Sequence, residues 1–185
     1  MNQDKIDSVF VVDEFKIAGF FNEYRWLSNF HDHKESPIVY RGHSFNNVEA
    51  YYQAHKTFFS TSPDKCPSLA AFSFCDGATA KKLSRQIVDL NGREWDRVKL
   101  DVMLTGLRIK FSKDPLRQML LETGRKKLIE SNWWKDVTWG VCGGKGMNAL
   151  GRLLMHVRDE LSGEYVYPTE YAKLTDEYLS LIGKL

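Results

Sequence analysis

The sequence predicts an α+β fold, predominantly helical, with a small β-sheet. Two long stretches carry apolar residues at helical spacing: Glu94–Phe111, through Val98, Val102, Leu104, Leu107 and Phe111, and Asn148–Leu161, through Leu150, Leu153, Leu154, Val157 and Leu161. The β-branched and aromatic runs, by contrast, are short, which leaves room for only a small sheet. The chain has 185 residues, 43% hydrophobic and 27% charged, without repeat, low-complexity tract or long linker. That composition suits one domain over residues 1–185, able to bury a core without staples.

Taken in order, Ser8–Val12 and Phe15–Phe20 read as strands. Residues 21–37 have no clean period and read as a structured loop. Ile38–Phe45 reads as a hairpin turning near Arg41-Gly42. Asn46 or Asn47 can cap a helix over Val48–Phe59. Residues 60–66 carry turn chemistry. Short helices follow at Pro67–Phe74 and Ala78–Val88, separated by Asp76-Gly77, and Asn91-Gly92 marks a turn before the helix Glu94–Phe111. Pro115 can start a helix that ends at Gly124. Lys127–Glu130 and Val137–Cys142 suggest strands, and Tyr165–Tyr167 offers one more. The glycines 140, 143, 144 and 146 lead into the helix Asn148–Leu161, and a last helix covers Thr169–Ile182 after Pro168.

Composition excludes several classes. Lys+Arg is 26 against Asp+Glu 24, a net charge of +2, which argues against a strongly basic nucleic-acid coat. Cys66, Cys75 and Cys142 are widely spaced and odd in number, as in reduced, cytoplasmic proteins. No apolar run is long enough to span a membrane, and the polar N-terminus does not read as a signal peptide. The histidines are scattered apart from His31-x-His33, so no metal site is expected. Gly144-x-Gly146-x-x-Ala149 fits a loose dinucleotide pattern but lacks a βαβ unit around it. No Walker A or G-x-S-x-G motif occurs.

Three constellations can carry chemistry. On a helix, Glu49, Tyr52, Gln53 and Lys56 share one wedge, with Glu49 and Lys56 two turns, roughly 10.5 Å, apart. That separation suits two long side chains reaching one ligand, and equally a solvated helix face. Trp26, Ser28, Asn29 and Phe30 can offer a stacking plate and hydrogen-bond partners to a planar ligand, or simply pin a loop to the core. The run from Asp136 through Trp139 and Gly140 to Asn148 can cradle an anion at a helix N-terminus, or can be a tight turn that needs positive φ.

In order and spacing, Trp26-Leu27-Ser28-Asn29-Phe30, Glu49-x-x-Tyr52-Gln53-Ala54-x-Lys56, Trp95 with Lys99 and Arg108-x-Lys110-Phe111, and Asp136-x-x-Trp139-Gly140 followed by Asn148-x-Leu150-Gly151-x-x-Leu154-Met155-x-x-Arg158 resemble the NADAR family, also called YbiA-like. The resemblance covers residues 17–161, leaving an N-terminal extension and the C-terminal helix 168–183 outside it. It implies a YbiA-like fold and an N-glycosidase that needs no cofactor and cleaves the bond between a ribose C1 and an amine. Two substrate classes go with the family: ADP-ribose attached to guanine in nucleic acid, and phosphoribosylaminopyrimidine intermediates of riboflavin synthesis. A non-catalytic module binding ADP-ribose or NAD is the reading from another class.

The ADP-ribose class is expected here, with a DNA ADP-ribosyltransferase toxin as genetic partner. Glu49 is the carboxylate expected to stabilise positive charge at C1, Lys56 the nucleophile or electrostatic partner, and Asp136 the orienter of ribose hydroxyls or second acid/base. Trp26, Trp95 and Trp139 are candidates to stack on a base. Phe30, Tyr52 and Gln53 complete the expected binding set with Ser28, Asn29, Gly140 and Asn148. Trp95 and Trp139 can also be core anchors, and Asp136 can be a turn cap.

Overall fold

The computed structural model describes residues 3–164 and 169–183, so the expected strand Tyr165–Tyr167 and Pro168 lie outside the described residues. The fold is α+β and mostly helical. The chain opens with a short helix α1 (Gln3–Asp7) that the sequence did not announce. β1 (Val11–Val12) and β2 (Lys16–Ala18) are shortened forms of the two expected strands. A 3-10 helix over Asn22–Leu27 replaces the start of the expected loop. β3 (Ile38–Tyr40) and β4 (His43–Phe45) form the hairpin, and Arg41 and Gly42 between them both take positive φ, as a two-residue hairpin turn requires.

α2 (Val48–His55) is capped by Asn47, whose side chain accepts from the Ala50 amide at 2.8 Å. The expected helix to Phe59 tightens to 3-10 geometry over Lys56–Phe59. α3 (Leu69–Phe72) and α4 (Gly77–Ser84) follow, α4 capped by Asp76. Asn91 caps α5 (Gly92–Lys110), so the expected Asn91-Gly92 turn is instead the start of the helix. Then come α6 (Leu116–Glu122), β5 (Lys127–Ile129), β6 (Ser131–Asn132) and β7 (Val141–Cys142). Only the last two residues of the expected strand Val137–Cys142 pair, and β6 was not foreseen. α7 (Ala149–Ser162) and α8 (Glu170–Ile182) close the described chain.

The chain divides into two compact units, Met1–Ser28 with Asp114–Leu185, and Asn29–Lys113. In the first, β2 pairs antiparallel with β1 and parallel with β5, Ile17 opposite Leu128. α7 packs on β5, and α6 and α8 pack on α7. Ile17, Leu120, Leu128, Leu153 and Leu154 form its buried centre. In the second unit α2 is central, with α3, α4, α5 and the hairpin packed around it. Every residue of α2 is buried, charged and polar ones included. No helix among the described residues is long and apolar enough to cross a membrane.

Candidate active site

The Asn29–Lys113 unit gathers Glu49, Tyr52, Gln53, Lys56, Trp95, Asn29 and Phe30. Complete burial of α2 excludes the solvated-face alternative for its wedge. Glu49 is 5% exposed and Gln53 4%. One helical turn separates them, and the Gln53 Nε2 donates to the Glu49 Oε1 at 2.7 Å. The Glu49 backbone N–H donates to the Asn29 carbonyl at 3.1 Å, which ties Asn29 to the first turn of α2. Asn29 is itself buried, and its Oδ1 has no hydrogen-bond partner, like the Gln53 Oε1. A charge this far from water is retained only with hydrogen bonds and a counter-charge.

The counter-charge is Lys56, half-buried at the end of α2. Its ammonium lies 5.5 Å from the Tyr52 ring centre and 5.9 Å from that of Trp95. The two rings meet at 5.0 Å, and Phe59 packs on the other side of Trp95 at 5.5 Å. Trp95 is therefore an anchor of this unit and a wall beside the amine at once. Burial pushes the Lys56 amine below the usual lysine range. The Glu49 carboxylate pulls it back up, while the cations of Lys81 and Lys99 lower it further. Lys99 is paired with Asp96 at 2.9 Å, and the Lys81 ammonium sits 5.7 Å from the Phe30 ring centre. A cationic neighbourhood around a desolvated amine is the standard means of leaving a lysine neutral enough to attack.

The other unit holds Trp26, Ser28, Asp136, Trp139, Gly140 and Asn148. Asp136 Oδ1 accepts from the Thr138 and Trp139 amides at 3.1 and 2.9 Å, so one carboxylate oxygen closes the turn. The Asn132 side chain clamps the same turn from below, donating to the carbonyls of Asp136 and Val141. Gly140 is buried against the Glu130 carbonyl and Asn132 Nδ2, where a Cβ would overlap both. Asn148 occupies the N-cap position of α7, but its side chain does not cap. With φ +53 it reaches sideways to β5, accepting from the Glu130 N–H at 2.9 Å and donating to the Leu128 carbonyl at 2.8 Å.

The expected anion cradle is spent on the protein itself. The Ala149 and Leu150 amides donate to the carbonyls of Thr138 and Trp139, and Gly143, Gly144 and Gly146 serve a tight turn with positive φ. Trp139 is half-buried. Trp26 is buried and lines a cavity of about 300 Å³ with Ile17, Tyr24, Met119 and Thr123. Ser28 ends the 3-10 helix, its amide bonded to the Arg25 carbonyl at 3.0 Å.

Two features escaped the sequence reading. Lys81, on α4, stands near enough to Lys56 to affect its charge. The signal was its place on α4, but only the packing of α4 on α2 makes it count. Glu130, at the end of β5, has an Oε2 shut off from water with no hydrogen-bond partner. Burial, and then the Asp136 charge, push its carboxyl up to about 8, with Arg25 pulling the other way. No spacing rule brings Glu130 and Asp136 together. No group of three or more His, Cys, Asp or Glu side chains placed to hold a metal occurs among the described residues.

The protein is thus mostly helical α+β with small sheets, and it sets a buried carboxylate on α2 beside a half-buried lysine just past that helix. The chain belongs to the NADAR family, whose domain matches residues 15–162. It is 31% identical over 150 residues to the N-glycosidase YbiA of Escherichia coli, covering 80% of this chain and 90% of that one. It is 36% identical over 141 residues to an N-glycosidase of Nostoc punctiforme, covering 75% and 86%. It is also 36% identical over 170 residues to the riboflavin biosynthesis protein PYRR of Zea mays, covering 83% of this chain but only 25% of the maize protein. A Vibrio vulnificus riboflavin biosynthesis protein is likewise spanned over only 37% of its length. The solution structure of E. coli YbiA superposes with a TM-score of 0.65 at 30% identity, covering 89% of this chain and 95% of that one.

Proposed function

We propose that this protein is an N-glycosidase that hydrolyses the bond between a ribose C1 and an amine nitrogen, with ADP-ribose on guanine as its substrate class. The observation that carries the reading is the juxtaposition of a buried carboxylate on α2, Glu49, with a lysine just past that helix, Lys56, whose amine is lowered by burial and by Lys81 and Lys99. A module that only binds has no need of that costly pair. The names of the E. coli and Nostoc relatives support the same bond class.

In the reaction the C1–N bond breaks and its electron pair leaves with the nitrogen. The Glu49 carboxylate stabilises the positive charge that builds at C1. Lys56 serves as the counter-charge while protonated; once it has given that proton to solvent its amine bonds to C1, and the proton it loses on bonding goes to the departing nitrogen. Water then displaces the amine, leaving a hydroxyl on C1 and restoring Lys56. Tyr52 and Trp95 keep the amine out of bulk water.

The test is release of ADP-ribose from a guanine-modified oligonucleotide by the wild type, Glu49→Gln and Lys56→Ala. Each variant is expected to lose on the order of 100-fold or more in turnover. Near-full turnover by both overturns the reading, and binding without release makes the protein a module. A second reading, hydrolysis of phosphoribosylaminopyrimidines, is favoured by the names of the maize and Vibrio relatives. Parallel assays on both substrates decide between them.

A further inference from the structure

Resting on the reading of Glu49 as the carboxylate that faces C1, we infer that Gln53 is the positioning residue of this site, whose side-chain amide holds the Glu49 carboxylate in one orientation and in its charged form. The hydrogen bond between them is short, 2.7 Å, and both residues are buried. A carboxylate accepts and cannot donate, so only the NH2 end of the amide can face it. Turned over, the amide would set its oxygen against the anion. Glu49 therefore dictates the Gln53 orientation, and the consequence is visible: the Gln53 Oε1 points where no donor meets it and no water reaches it.

Packing alone asks for no amide at this position. Ala50, Tyr51 and Ala54 around it on α2 are apolar and fully packed, and a methionine of similar size would leave no orphaned oxygen. The fold thus tolerates an unsatisfied acceptor in order to keep a donor on Glu49. The root of Glu49 is fixed as well, through its N–H to the Asn29 carbonyl, so backbone and carboxylate are both aimed.

A hydrogen bond to the charged form lowers a carboxyl pKa, and losing it raises that pKa. The charged and titratable groups on and around α2 include its own Tyr51, Tyr52 and His55, Lys56 just past its end, Tyr40 on β3 and Arg41 in the hairpin turn beside His55, His43 on β4, Asp32 on the Asn47 cap, Asp76 and Lys81 of α4 and its cap, and Lys99 with Asp96 on α5; α3 contributes none. Lys56 titrates on the rising limb as well and is coupled to Glu49, so the direct titration of the Glu49 carboxyl is what reports on the amide.

The experiment measures kcat and KM across pH for wild type, Gln53→Met and Gln53→Glu. In Gln53→Met, kcat is expected to fall roughly 10- to 100-fold with KM little changed, and the Glu49 carboxyl to titrate at a higher pH than in wild type. Gln53→Glu moves that titration further, because two carboxyls then share one site. Carbon-13 NMR titration of the Glu49 carboxyl in wild type and variant reads the same shift without any substrate. If wild type turns over neither ribosyl substrate, the proposed function fails while the titration still judges this inference. An equal loss at every pH with an unmoved Glu49 titration makes Gln53 merely structural and overturns it. Should Gln53→Met not fold, Gln53→Asn, too short to reach Glu49, takes its place.

Discussion

Lys56 and Glu130 show how one side chain's surroundings set its chemistry. Lys56 is held below the usual lysine range first by burial and then by the cations of Lys81 and Lys99. If its neutral amine is the working form, activity rises as pH climbs through its pKa. Lys81 is exposed, so Lys81→Glu disturbs little packing. It replaces a repelling cation with an attracting anion, raises the Lys56 pKa, and is expected to move the rising limb of the pH–rate profile upward. A limb that stays put means Lys56 is not the group titrating. Glu130 gives the opposite sign in stability. Its folded pKa of about 8 lies above the ordinary carboxyl value, so the folded state holds the extra proton between those limits and loses stability as pH rises through them. Glu130→Gln is expected to melt higher than wild type at pH 8, by on the order of 2 kcal/mol, with the gap closing toward pH 5. Thermal unfolding at both pH values reads it. Glu49 and Lys56 were legible in the sequence because helical spacing alone puts them on one wedge. Glu130 was not, because its partner Asp136 reaches it only through the β6–β7 turn.

At the scale of elements, the Asn47 cap was legible in the sequence. Asn47, Asp76 and Thr169 each accept from an amide three residues on, as their residue types foretell. Asn148 looks the same in sequence and does something else, because its αL backbone turns its side chain across to β5. Short strands of two residues carry no periodicity, so β6 and β7 were illegible or overextended. The close seat of α7 on β5 also depends on Gly151, where a Cβ would run into the Leu128 carbonyl and the Asn148 amide. Gly151→Ala is therefore expected to force α7 away from the strand, costing roughly 3 kcal/mol or more. Asn148→Ala strands the Glu130 N–H and the Leu128 carbonyl and keeps an αL alanine, costing about 2–4 kcal/mol. Asn148→Gly, free of the backbone strain, is expected to lose about 1 kcal/mol less. Urea unfolding that ranks glycine below alanine at 148 contradicts this account of the junction.

At the scale of the whole molecule, charge bears on the substrate. With 26 basic and 24 acidic residues the chain has little excess charge to neutralise a nucleic-acid backbone. Non-specific affinity for nucleic acid comes almost entirely from phosphate neutralisation, and each phosphate contact steepens the fall of affinity with salt. The cations that act on the Lys56 amine are Lys81 and Lys99, and Lys99 is already paired with Asp96. On the proposed substrate class, recognition is then expected to lie mainly in the ribosyl group and its attached base, not in the polymer that carries them. An ADP-ribosylated guanine mononucleoside is accordingly expected to be turned over with a kcat/KM within about tenfold of the modified oligonucleotide, with a log–log salt slope no steeper than roughly −2 to −3 for the oligonucleotide. Unmodified oligonucleotide is expected to compete only weakly. A steep salt slope, or a mononucleoside that is ignored while the polymer is cleaved, would place the specificity in backbone contacts outside the α2 cluster and require a basic surface that the composition does not foretell.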